Sequence, residues 1–318
     1  MNLLKIVSQF KTQADCIAFL ENKKWQGRAT CPYCQSTNTN KLTNEGRNRH
    51  YCNGCRKSFC ITVGTIFHGT HIELQKWFLL IALMMNAKKS LSACQAARDL
   101  GMRRPTVWKM MHKIRDAFKT GNKALLGGIV EMDETYIKTH DVKTKKNNEE
   151  EDDNDDNDSG FIDDYIPDFD KNGVKLKRGR GSQNNTAIVG IKQKGGDIVA
   201  KMVSNVKFNT LIDFAKKNVA IGSEVQTDEF RSYRRFNRLF THKTVNHQRE
   251  YVSSKNITTN GVEGFWSLLK RGIKGQFHHI SKGYLQRYIN EFVYRYNMRE
   301  AKESDVFDDV LARMLYGR

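Results

Sequence analysis

The order of segments along the chain predicts an α/β protein in which a mixed sheet follows a metal-bound ribbon and a group of helices. Three observations carry this expectation: apolar, β-prone runs alternating with helical patterns after Gly128, two Cys-x-x-Cys pairs near the N-terminus, and helical periodicity between them. A chain of 318 residues can bury a sizeable core and divide into two or three domains. The expected boundaries are 1–70 for an N-terminal helix and ribbon, 71–124 for the helices, and 125–318 for the sheet.

Within the last part, strands are expected at 129–137, 186–192 and 198–204, a helix at 211–217, a strand ending in Asp228, another at 242–245, and a helix at 261–271. Three strands, helix, strand, helix, strand, helix is the order of an RNase H-like fold, with the weakest signal at the helix between the last two strands. In such a sheet the first and fourth strands are neighbours. Asp133 and Asp228 would therefore meet although 94 residues lie between them, and Glu263 would reach in from the last helix.

These three carboxylates suit a pair of Mg²⁺ or Mn²⁺ ions over a phosphodiester. Two hard cations ~3.5 to 4 Å apart activate an attacking oxygen and stabilise the leaving one. Magnesium retains water and takes few carboxylates, so three suffice. Asp133 is expected to bridge, with Asp228 and Glu263 each holding one ion. Strand alternation turns Glu134 to the other face, puts Glu229 out of phase with Asp228, and leaves Glu131 as a reserve ligand on the Asp133 face. Asn260, one turn before Glu263, is a ligand or a helix cap; Lys270, two turns after it, shares its face and suits a phosphate. Any one acidic residue is more often surface, so the argument rests on the joint placement.

Cys31-Pro-Tyr-Cys34 and Cys52-Asn-Gly-Cys55, 17 residues apart, have the spacing of a four-cysteine zinc ribbon. Four thiolates leave no open coordination position, so one structural Zn²⁺ is expected, with a hairpin tip near 44–46 between the pairs. Arg47, Arg49, Arg56 and Lys57 suit nucleic acid, although a ribbon equally docks protein. Cys16, Cys60 and Cys94 read as small buried hydrophobes.

A helix over 73–86 is followed by one over 91–100, capped by Ser90 and closed by Gly101, and by a third from about Pro105. Val107, Met111, Ile114 and Phe118 form its apolar stripe, while Arg103, Arg104, Thr106, Lys109 and Lys113 lie off it. That is a helix-turn-helix module with a DNA-facing side; a basic helical bundle with a solvated face is the alternative. Trp108 is either core or wedge.

Between 140 and 184 the composition turns low-complexity, and this insert is expected to be disordered. Its acidic run at 149–158 reads as a solvated loop or as an internal competitor for a basic groove. Its basic end, with Lys177, Arg178 and Arg180, suits phosphate backbone. Fifty-three Lys and Arg against 35 Asp and Glu, a net charge of +18, attract polyanions. No run reaches the ~18 apolar residues of a membrane span, which favours DNA over a lipid surface. Residues 1–10 carry no signal-peptide pattern, so an intracellular location is expected.

With these motifs in view, the sequence resembles the DDE transposases of the zinc-ribbon bacterial insertion-sequence group, ISXO-type and related to the eukaryotic Merlin elements. The resemblance runs through 25–34, 64–69, 131–136, 227–233, 260–271 and 288–297. It implies excision and insertion of a mobile element, with Asp133, Asp228 and Glu263 on the metals and Lys270 following. Terminal inverted repeats and target DNA would be the partners, and joining two ends implies a homodimer or larger assembly. Some relatives carry asparagine as the third active-site residue, which keeps Asn260 in that role beside Glu263. The acidic insert departs from the group's short Gly- and Lys-rich connection. The rival expectations are a domesticated DNA-binding regulator without catalysis and a nuclease that cuts without joining.

Overall fold

The computed structural model describes residues 3–42, 48–119, 124–139, 185–245 and 257–316. The expected hairpin tip at 44–46, Arg47, and the insert with Lys177, Arg178 and Arg180 lie outside these residues.

The chain opens with α1 (Leu3–Gln9) and α2 (Gln13–Trp25); Thr12 and Asp15 start α2 with a reciprocal capping box. A small antiparallel sheet of β1 (Thr39–Leu42), β2 (Arg49–Cys52) and β3 (Ser58–Phe59) carries the cysteine knuckles. Then come α3 (Leu74–Asn86), α4 (Ala93–Leu100) and α5 (Arg104–Ala117). The α4 cap is Ser92, which accepts from the Gln95 amide, and not Ser90. Ser90 is buried with φ +73° and donates its hydroxyl to Glu291. Gly101, at φ +60°, closes α4 in the left-handed conformation that glycine adopts without cost, and three residues later α5 begins.

The large sheet has strand order β6-β5-β4-β7-β8. The antiparallel strands are β4 (Ile129–Lys138), β5 (Asn185–Gln193) and β6 (Ile198–Val203); β7 (Glu224–Thr227) and β8 (Thr241–Thr244) add parallel beyond β4. The interior strand β5 is buried on both faces from Thr186 to Lys192, as a strand between two helical layers should be. One layer is α6 (Phe208–Asn218), against Val130, Met132, Val189 and Ile191. The other is α7 (Asn260–Gly272) and α8 (Lys282–Asn297), against Ile137, Ile188 and Ile198. This is the RNase H-like arrangement.

Between β7 and β8 the expected helix is replaced by two short 3₁₀ turns, Arg231–Tyr233 and Phe236–Arg238. Phe230, Tyr233 and Phe236 recur every third residue, the period of a 3₁₀ turn and not of an α-helix, and all three join the α6-side core.

The last helix, α9 (Glu303–Tyr316), returns to the first part of the chain. Its Phe307, Val310, Leu311, Met314 and Leu315 share one core with α1 to α5. A second link is a ladder between α5 and α8: Trp108 meets Tyr284 at 5.0 Å between ring centroids, and His112 meets Tyr288 at 5.4 Å. Arg115 Nε then donates to Glu291 Oε2 at 2.7 Å. The rungs advance by the same steps on both helices, so α5 and α8 run parallel. Trp108 is thus part of this contact. Burial, with the charges of Arg115 and Arg287, pushes His112 down to about 3, and it remains neutral in the ladder.

Arg115 and Glu291 are 1% and 0% exposed, and Arg115 also stacks on Tyr288 at 4.1 Å. Removing one partner of a buried pair strands the other charge. We expect Glu291→Leu to lower stability by about 3 to 5 kcal/mol in urea unfolding, and Arg115→Met combined with Glu291→Leu to recover much of the loss. A double variant no better than the single one would contradict this.

Candidate active site

The parallel register of β4 and β7 pairs Glu131 with Gln226. Continued two residues along both strands, it aligns Asp133 with Asp228 at the edge where β7 ends. By strand alternation both face the α7 side, with Glu131 and Gln226. The Asp228 charge is one of the influences that raise Asp133, which places them in each other's field.

Helix α7 is fastened over this edge by its first turn. Its N-cap residue, Thr259, makes no side-chain cap bond, and Glu131 serves instead: Oε2 accepts the Val262 amide at 2.9 Å. A carboxylate there satisfies an orphan amide and complements the helix dipole. Glu131 is buried, opposite Lys192 on β5. The approach is so close that a Cβ on Gly261 would fall 2.5 Å from Glu131 Oε2. Gln226 Oε1 accepts the Thr258 amide at 3.0 Å, tying the same turn to β7. Glu131, the reserve ligand of the sequence reading, is occupied by this capping.

Asp133 receives a hydrogen bond that the sequence reading missed: Trp266 Nε1 donates to its Oδ2 at 3.0 Å. Trp266 follows Val262 by one helical turn, so both point at the sheet. The indole lies across Gly190, which pairs with Asp133 on β5, and a Cβ on Gly190 would come within 2.7 Å of the ring. Four-residue spacing from Val262 was the available sequence signal; the missing side chain at Gly190 gave none.

Burial first, then the charges of Glu134 and Asp228, push Asp133 up to about 7. Glu134, on the opposite face, accepts from the Tyr233 hydroxyl at 2.8 Å. Burial and the surrounding carboxylates hold that phenol well above its usual range, so it stays a donor. Asp228 Oδ1 accepts the Phe230 amide at 3.0 Å. Glu263 is exposed on α7 and accepts from Thr259 Oγ1 at 2.7 Å. A carboxylate raised by burial and by neighbouring carboxylates is a fit environment for a divalent cation, which would offset the repulsion. Among the described residues, however, the four cysteines are the only group of three or more Cys, His, Asp or Glu whose ligand atoms all lie within 4.8 Å of one another.

Asn260 is exposed at the start of α7, and its amide donates to Thr258 Oγ1 at 3.0 Å. Lys270 is exposed farther along the helix. On α5 and the turn before it, Arg103, Arg104, Lys109 and Lys113 are exposed and Thr106 is half-buried.

The Cys31, Cys34, Cys52 and Cys55 sulfurs cluster, with Cys31–Cys55 at 3.6 Å and Cys34–Cys52 at 3.5 Å. Zn–S bonds of about 2.3 Å in a tetrahedron need sulfur separations of roughly 3.8 Å, so the cluster fits zinc. Of the three cysteines read as buried, Cys16 is buried, Cys60 is intermediate and Cys94 is exposed, because Cys94 falls on the solvent side of α4.

Residues 161–297 match the family model described as ISXO2-like transposase domain, and residues 11–58 match the transposase zinc-ribbon domain. A protein of Halobacterium salinarum, "Uncharacterized protein in transposable element ISH50", is 24% identical over 91% of this chain and 92% of its own length. An "Uncharacterized transposase-like protein" of Haemophilus influenzae is 33% identical over 32% of this chain and 81% of its own. The crystal structure of the Mos1 strand transfer complex aligns at TM-score 0.31 and 14% identity, covering 78% of this chain and 77% of that one. At that distance it adds nothing to the topology described above.

The ribbon core is small, consisting of Cys31, Cys52 and Phe59 with partly buried neighbours, so its order should depend on the ion. We expect one zinc per chain by elemental analysis, and chelation that exposes residues 26–60 to protease while the large sheet persists; a ribbon equally protected after chelation would contradict it. A second expectation concerns pH. Without metal, the folded state binds Asp133's proton up to about pH 7, whereas the unfolded chain releases it near pH ~4. Asp133's contribution to stability is therefore full below that lower value and is lost as pH rises to about 7. Urea midpoints compared between wild type and Asp133→Asn should differ in slope across this window, and parallel slopes would refute it.

Proposed function

We propose, for a chain that belongs to the ISXO2-like transposase family, that it binds the terminal inverted repeats of an insertion element, cuts there, and joins the exposed 3′ hydroxyl to target DNA. What supports this reading is the parallel register of β4 and β7 through Glu131 and Gln226, with the Asp228 charge acting on Asp133 beneath α7, the helix that bears Glu263. Asp133, Asp228 and Glu263 would hold two Mg²⁺ or Mn²⁺ ions. When bound, such a pair supplies activation of the attacking oxygen and stabilisation of the leaving oxygen.

The chain's own groups supply the rest. Trp266 fixes the Asp133 carboxylate, and Glu131 fixes the helix that presents Glu263. Asp133, which retains a proton near neutrality without a cation, gives it up when one is bound. Lys270 lies on the exposed side of α7, suited to a phosphate beside the carboxylates, and Asn260 is the alternative third ligand. The exposed cations of α5, with Thr106, suit the groove and backbone of an inverted repeat, and Lys177, Arg178 and Arg180 would add phosphate contacts. Bringing two element ends together calls for a homodimer or larger assembly. No helix among the described residues is long and apolar enough to cross a membrane. Work on DNA would put the protein inside the cell.

The test is cleavage and joining of a labelled inverted-repeat duplex taken from the element's own ends, with Mg²⁺ or Mn²⁺. We expect Asp133→Asn, Asp228→Asn and Glu263→Gln each to reduce cleavage by at least about a hundredfold while the duplex is still bound. Binding without cleavage by the unaltered chain would leave a DNA-binding regulator. Cleavage without a joined product would leave a nuclease.

A further inference from the structure

A groove of about 470 Å³ runs along the side of α7 next to Glu263 and is closed by the ends of α3 and α8 and the start of α9. Gly264, Leu268 and Arg271 face it from α7, one residue around the helix from the Glu263 and Lys270 stripe. None of these lining residues was assigned a role above.

Its chemistry is divided. Leu268 and Tyr296, with Met85 of α3 and Met298 just after α8, give an apolar, partly aromatic floor, and Lys88, Arg271 and Arg299 are exposed cations around it. Glu303 is the acid at the α9 end. Arg295 is committed elsewhere, donating to the Met84 carbonyl at 2.6 Å beside Glu291. Arg299 is held flat: its guanidinium lies 4.5 Å from the centre of the Tyr296 ring, Nη1 donates to the Tyr296 carbonyl at 2.9 Å, and Nη2 meets exposed Glu300 at 3.1 Å. A planar cation fixed on an aromatic ring is a surface on which a nucleobase stacks.

We infer that this groove holds an unpaired nucleotide of a DNA strand, its base against Leu268 and the Arg299–Tyr296 stack and its phosphate near Arg271 and Lys88. A volume of this size matches a single nucleotide. The apolar floor favours a heteroaromatic ring, where a backbone track alone would need only charge. The inference takes DNA as the occupant from the proposed function and adds the location and the single-stranded character. The strand is either a frayed end of the element or a distorted stretch of target, since both present the same chemistry.

Gly264 offers a clean probe, because nothing lies within 4 Å of where its Cβ would be. Gly264→Phe should fill the groove without removing charge, and Arg271→Gln with Arg299→Gln should remove charge without filling it. With the full chain and a fluorescent oligo(dT), each variant should lose about tenfold in affinity, while a blunt duplex of equal length should change by less than about twofold. An unchanged oligo(dT) affinity in Gly264→Phe, or an equal loss for the duplex, would overturn the proposal. Iodouracil placed either in a 3′ overhang or in an internal bulge then separates the sources. Photo-adducts on α7 or α8 from one arm identify the strand, and adducts elsewhere from both arms overturn the site. Because the probes are not cut, groove binding in a chain that cleaves nothing counts against the catalytic reading alone, and cleavage with an unaltered oligo(dT) affinity in Gly264→Phe counts against the groove alone.

Discussion

One buried carboxylate sets the position of the candidate site. Glu131 is buried, and the first turn of α7 presents an amide where its Oε2 needs a donor. Neither partner can move without stranding the other. Everything α7 carries is indexed from that bond: Glu263 on the following residue and Trp266 a turn farther on, over Asp133. An acidic residue on the expected face of β4 is thus spent on architecture, and its neighbour two positions on is left for chemistry.

The helical part of the molecule is joined to this arrangement as firmly as the sheet is. In the α5–α8 ladder, two aromatic contacts precede an ion pair, and the pair sits where water cannot compete for it. Such a contact is worth little in net stability compared with apolar replacements, but it tolerates no sliding, since a shift of one turn would bury both charges unpaired. The basic side of α5 is therefore held at a set orientation to α7 through α8. The proposed function, binding an element end at one place and cutting it at another, would need such a fixed relation.

Much of this was legible in the chain, for reasons that can be named. Strand alternation and the order of apolar runs led to β4 through β8 within a residue or two, and the cysteine spacing led to the thiolate cluster, because both are local signals. The expectation that Asp133 and Asp228 meet came from topology; the register pairs their strands as far as Glu131 and Gln226, and the Asp228 charge acts on Asp133. What sequence could not resolve were choices between chemically equal candidates. Ser90 and Ser92 are both good caps, and only the buried Glu291 decides that Ser90 is needed elsewhere. Glu131 and Asp133 share a face, and only the landing point of α7 separates the cap from the candidate ligand. The missing helix between β7 and β8 was misjudged although its three-residue aromatic period was visible.

The return of α9 to the opening helices has a consequence for how the protein is made. Met314 accepts a backbone hydrogen bond from Ile66, and the apolar side of α9 completes a core built mainly from α1 to α5. On the ribosome, domains generally form in the order they emerge. Here the helices bearing the basic surface emerge early and must wait, incompletely packed, until the sheet and α9 have followed. A nascent or truncated polypeptide therefore lacks a finished helical part, and the basic surface of α5 reaches its final form only when the carboxylates do.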